Sequence, residues 1–284
     1  MKNIKSSSMK WKKIINRTFP KKHGAWSIFF ISIFTGTSCS KNFKLLPFLL
    51  LFLSSFFAFL MRENISLFLK LRKGDERRKE IFEISFIYLI IILLTFLYLL
   101  IIYKYYLLIF IGLLALLITL LSFYFSINRQ ELSVPSEILG ILGLSLLLPS
   151  FYYISKGVID RDGILLFIFT FLFFTGSVFH VRYLVRNKNI LSEKFSVRLK
   201  AGKVSLLYHT LFLLFSLYLS YRGFLPSLIF ISVLPTFFKS YFFVLRKFDR
   251  PLSLKRIGIA ELILSIIFAI FIIFAYLRDN RKLI

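Results

Sequence analysis

The feature that most constrains this chain is a recurrence. Apolar runs of about 20 residues follow one another along its whole length, each long enough to cross the hydrocarbon core of a bilayer. Inside lipid every backbone N–H and C=O must find a partner within the protein, which leaves only helices and closed barrels. The runs carry none of the alternating pattern that a barrel requires. The expectation is an all-α, polytopic membrane protein.

Nine spans are predicted, at Gly24–Cys39, Phe43–Met61, Ile81–Ile102, Tyr105–Ile127, Leu132–Ile154, Gly163–Val181, Val204–Tyr221, Phe224–Leu245 and Gly258–Leu277. Pro135 falls in the first turn of the fifth span, where a missing N–H costs little. The eighth span carries Pro226 and Pro235. These boundaries imply a basic interfacial arm over residues 1–22 and a single transmembrane domain over residues 23–284.

The net charge of +25 would suggest nucleic acid in a soluble protein. Here 58% of residues are hydrophobic and the charges alternate with the spans. Of the 38 Lys and Arg, 29 fall on the side of the amino terminus. The positive-inside rule then predicts a bacterial inner-membrane protein with its amino terminus in the cytoplasm and its carboxyl terminus outside. The same split removes nucleic acid as an expected partner. The single cysteine, Cys39, excludes an internal disulfide. Residues 9–19 interleave Trp11, Ile14, Ile15 and Phe19 with Lys10, Lys12, Lys13 and Arg17, a composition suited to an anionic phospholipid surface or to a basic tail that only sets topology. The length of this basic region, with no small-residue cleavage site after the first run, is not that of a cleavable signal.

Charged groups within a membrane are costly and are paired or functional. In the predicted topology Glu83, Glu137, His180, His209, Lys239 and Glu261 all fall in the cytoplasmic third. Such one-sidedness suits an amphiphile, with its head among these groups and its tail among Phe and Leu. The plainer reading is that Glu83, Glu137 and Glu261 neutralise Arg62, Arg182 and Arg256.

Candidate head-group ligands follow. Lys22 and His23 precede Gly24 at a helix start, where free N–H groups attract anions. Arg62 and Asn64 open the region after the second span, and Arg182 and Arg186 the region after the sixth. Arginine forks suit phosphate. Glu137, His180 and His209 are the candidates for positioning or proton transfer. No H-x-x-H or H-E-x-x-H spacing supports a metal site, and no cofactor is expected.

The segments Pro20-Lys21-Lys22-His23-Gly24-Ala25-Trp26, EILGILGLSLLLPSFYY, GSVFHVRYLVR and KRIGIAELILS together resemble the YwiC-like membrane protein family. The nine-span plan, amino terminus inside, with large cytoplasmic loops after spans two and six (Arg62–Glu80 and Arg182–Lys203), also resembles the UbiA prenyltransferases. That resemblance implies a UbiA-like bundle, with a lipid-facing tunnel that ends in a cytoplasmic chamber. It also implies Asp-rich motifs holding magnesium and a prenyl diphosphate, but this chain has Arg62-Glu63-Asn64 at the first position and no Asp from Arg182 to Asn189. The expected function is therefore binding, with or without modification, of an isoprenoid or other lipid with an anionic head. The alternatives are a transporter of a small anion or lipid and a non-enzymatic assembly factor.

Overall fold

A computed structural model describes residues 23–40, 42–72, 74–75, 77–186, 194–248 and 253–279. They form α1 (His23–Ser38), α2 (Leu45–Lys70), α3 (Arg77–Ile101), α4 (Leu107–Ile127), α5 (Val134–Ser145), α6 (Leu147–Lys156), α7 (Arg161–Arg186), α8 (Phe195–Tyr221), a 3₁₀ turn (Ile229–Ser232), α9 (Leu234–Leu245) and α10 (Leu254–Asp279). No strand occurs among the described residues. The chain is an all-helical, multi-pass membrane protein. Among the described residues, seven of the nine expected segments are long and apolar enough to cross a bilayer.

Three departures from expectation have local causes. The fifth segment is broken at Leu146, because Pro149 has no N–H to give the carbonyl of Ser145. The eighth does not start as an α-helix. It passes through the 3₁₀ turn and becomes α-helical only at Leu234, with Pro235 in the first turn. This segment and α1 are the two shorter apolar helices. Third, helices continue into the predicted loops after spans two and six. α2 runs on to Lys70 and α7 to Arg186, so Arg62, Asn64, Arg182 and Arg186 stand on helices and not in loops. Lys and Arg are good helix formers, and hydropathy marks where apolar character stops, not where the helix does.

The chain divides into two compact units, one with α2–α4 and one with α1 from Gly24 and α5–α10. In the first, α2 packs along α3 and meets α4. A polar seam joins α2 to α4. Arg62 donates to Ser122 Oγ at 2.7 Å, Ser66 bonds Ser126 at 2.9 Å, and Lys70 pairs with Glu131 just beyond α4. Residues 62, 66 and 70 are four apart and so share one helix face. The outward faces of α3 and α4 are almost unbroken Leu, Ile and Phe, as lipid contact requires.

In the second unit α5 and α6 are the most enclosed segment, 56% buried against 11% for α3. Ser133 caps α5 by accepting from the Ser136 N–H. Asp160 caps α7 by accepting from the Gly163 N–H at 3.1 Å, and also takes hydrogen bonds from Tyr152 and Lys156. α1 lies tightly on the break: a Cβ at Gly36 would sit 2.5 Å from the Leu148 carbonyl oxygen. Arg198 of α8 donates to the carbonyls of Val244 and Leu245, closing the carboxyl end of α9.

Candidate functional site

The second unit holds a buried polar cluster formed by α7, α8, α9 and α10. His180, near the end of α7, is fully enclosed, and neither ring nitrogen has a hydrogen-bond partner. Its ring centroid is 6.3 Å from that of His209 on α8 and 5.5 Å from that of Phe243 on α9. His209 Nδ1 lies 2.7 Å from the Ser205 carbonyl, which can only accept, so Nδ1 carries a proton and donates it. Nε2 faces Gly176: a Cβ there would be 3.2 Å from it and 3.0 Å from the Tyr208 ring. A larger residue here would need the Tyr208 and His209 rings to give by a few tenths of an ångström, so glycine eases the approach of α7 and α8 at this level.

The cluster continues onto α9 and α10. Lys239 Nζ lies 2.6 Å from Glu261 Oε1, in side chains only 8% and 15% exposed. Lys239 is also within electrostatic range of both His180 and His209. Ser205 and Ser240 bond at 2.9 Å, as do Thr210 and Tyr241. The Tyr208 hydroxyl donates to the Leu172 carbonyl at 2.8 Å.

The predicted site residues divide among these surroundings. His180 and His209 are brought together. Glu137 is not with them: its carboxylate accepts from Arg182 Nε at 2.8 Å, tying α5 to α7. Its expected neutralisation of Arg182 is therefore present, whereas Glu261 is paired with Lys239 and not with Arg256. Arg186 is exposed at the end of α7. In the other unit Arg62 bonds Glu63 and Ser122, and Asn64 is fully buried with neither amide atom bonded. Lys22 lies outside the described residues, as does the side chain of His23. No group of three His, Cys, Asp or Glu side chains converges as a metal site would need, among the described residues. Sequence reasoning marked Gly176 as a place of close helix packing but missed Ser205 and Tyr208 of α8 and Ser240 of α9. The spacing of Tyr208 and His209, three and four positions after Ser205 along α8, is a signal that could have marked a polar face there.

Comparison with known families bears on the first part of the chain. Residues 19–152 match the YwiC-like protein family. The YwiC-like region takes in Pro20-Lys21-Lys22-His23-Gly24-Ala25-Trp26 and the segment from Glu137 to Tyr152, and so covers α1 to most of α6. The segments around His180 and Glu261 lie beyond it. No curated protein and no solved structure matches the chain.

Proposed function

We propose that this multi-pass membrane protein binds the anionic head of a lipid or isoprenoid at the cluster of His180, His209 and Lys239, and that this cluster faces the cytoplasm. The observation that carries the reading is His180. Buried polar groups are nearly always hydrogen-bonded, and a ring enclosed with both nitrogens unbonded leaves hydrogen-bonding capacity that an added partner would complete. An anionic, acceptor-rich group fits. It takes a hydrogen bond from the imidazole N–H and gains from the Lys239 ammonium, whose own charge Glu261 balances.

The hydrocarbon tail has no room in the interior, because Phe173 and Phe268 stack there at 3.7 Å. It lies in the bilayer against the exposed Leu207 and Leu211 of α8 and Phe238 and Phe242 of α9. Arg182 and Glu137 hold α5 to α7 and so position His180 from the neighbouring face of its helix. The cytoplasmic orientation is supported by the 29 of 38 Lys and Arg that fall on the amino-terminal side.

The test is thermal unfolding of the full chain in mild detergent with phosphatidylglycerol or phosphatidylcholine added. The anionic lipid is expected to raise the unfolding temperature of the wild type and to do so much less for His180→Gln. Equal shifts for both proteins, or for both lipids, would overturn the reading.

A further inference from the structure

A Ser or Thr hydroxyl in a helix can turn back onto the carbonyl three or four residues earlier. Thr37, Thr95, Ser150, Thr175 and Ser265 all do so. Four hydroxyls of the second unit do not. Ser32 and Thr35 of α1, Ser145 of α5 and Thr170 of α7 are fully enclosed, and none has a hydrogen-bond partner.

Contacts along the helices bring the four to one level. A Cβ at Gly163 of α7 would lie 2.9 Å from the Tyr152 ring of α6. At the other end Glu137 of α5 accepts from Arg182 of α7 at 2.8 Å. The α5–α6 segment and α7 are therefore antiparallel neighbours. Ser145 stands seven positions before Tyr152, and Thr170 seven after Gly163. Seven positions are about two helical turns, so both residues return to the facing side at the same height. α1 approaches the same place, because Gly36 abuts the Leu148 carbonyl. Ser32 is one turn before Gly36 and shares its face. Three crossings, α2 to α4, separate α1 from α5, so the two run in the same direction. Ser32 is thus level with Ser145, one turn before Leu148, and Thr35 follows it on the same side of α1.

This is also the level of the helix break. Pro149 leaves the Ser145 carbonyl without its usual donor, and Ser145 is the last residue of α5. A helix ends in partial negative charge, which favours a cation. Ser145 is the central residue of the Val134–Lys156 segment, so the break falls at mid-membrane depth. Interrupted helices at that depth commonly offer carbonyls to ions. We propose that a monovalent alkali cation, Na⁺ or K⁺, binds here, held by the hydroxyl oxygens of Ser32, Thr35, Ser145 and Thr170 with the Ser145 carbonyl. The donors are all neutral. The carboxylates nearest in sequence, Glu137 and Asp162, stand two turns from Ser145 and Thr170, and divalent ions ordinarily recruit carboxylates. The site shares no residue with the His180 cluster and does not rest on the lipid reading.

The experiment is thermal unfolding of the full chain in mild detergent, in sodium, potassium or choline chloride at equal ionic strength. A ligand that binds only the folded state stabilises it. The wild type is therefore expected to unfold at a higher temperature in an alkali salt than in choline chloride, with a rise that saturates, and the salt that gives the larger rise names the ion. Thr170→Val and Ser145→Ala each remove one oxygen and are expected to lose most of the rise. In choline chloride both should be at least as stable as the wild type, because an unbonded buried hydroxyl is itself a cost. No rise in either alkali salt, which is the result if these hydroxyls hold only water, overturns the inference. So does a rise that both variants keep. Thr170→Ser retains the oxygen and should keep the rise, and a folded Thr170→Ser protein that loses it counts against coordination.

Discussion

Lys239 and Glu261 meet at 2.6 Å across α9 and α10, and the unbonded ring of His180 stands within electrostatic range of the same ammonium. The pair therefore has two roles: it joins two helices, and it sets the charge beside an imidazole that lacks a partner.

Removing one member of an enclosed ion pair leaves the other charge buried and uncompensated. Lys239→Met alone, or Glu261→Gln alone, is expected to destabilise the protein by about 3–5 kcal/mol. The double substitution Lys239→Met/Glu261→Met should recover most of that loss, because two packed apolar chains need no compensation. Reversible unfolding in mixed micelles measures the cycle. Additive losses in the double variant would show that the two residues are not coupled.

At Gly36 two effects compete. Alanine improves helix propensity by about 1 kcal/mol relative to glycine. Its Cβ, however, would be placed 2.5 Å from a backbone oxygen of Leu148, which cannot rotate away as a side chain could. Overpacking of this kind costs about 1–3 kcal/mol, and the clash is expected to win. Gly36→Ala should lower the unfolding temperature, while Gly24→Ala, with nothing within 4 Å of the added carbon, should not. A neutral Gly36→Ala would mean that α1 does not sit on the α5–α6 break.

The presence and order of these apolar segments were legible in the sequence because lipid imposes them, although α2 and α7 run on past their apolar stretches. From Phe86 onward in α3, and throughout α4, nearly every residue is apolar, and no soluble arrangement competes. Interruptions were harder to read. Pro135 attracted notice at a helix start, yet Pro149 makes the break, because its effect depends on which carbonyl loses its donor. The depth of Lys239, Glu261, His180 and His209 was readable from position along each span. Their partners were not: Lys239 and Glu261 lie on separate helices, and Arg256 was an equally plausible mate for Glu261. Pairing across helices depends on rotation about each helix axis, which low amphipathicity in these lipid-exposed segments leaves unmarked. The Phe173–Phe268 stack was hidden for the same reason, one ring contact among 37 phenylalanines.

At the loop before α7, burial works against ionisation of Asp160, but hydrogen bonds from Lys156, the Gly163 N–H and Tyr152 outweigh it and hold its carboxyl below the ordinary range. A depressed carboxylate contributes stability that is fully present above its unfolded value, near about 3.9, and is lost as pH falls through the lower folded value. Wild type is therefore expected to be more stable than Asp160→Asn at neutral pH, with the gap closing on acidification below that range. Unfolding temperatures of both proteins from neutral to acid pH check this. A gap that stays constant would assign the effect to the cap geometry and not to the charge.

The measurement that bears most directly on the proposed function is native mass spectrometry of the full chain, extracted gently from its own membrane, with wild type beside His180→Gln. The account predicts a retained lipid or isoprenoid with an anionic head on the wild type, and its loss from a folded His180→Gln variant. The same adduct retained equally by both proteins, or no adduct on the wild type, would contradict it.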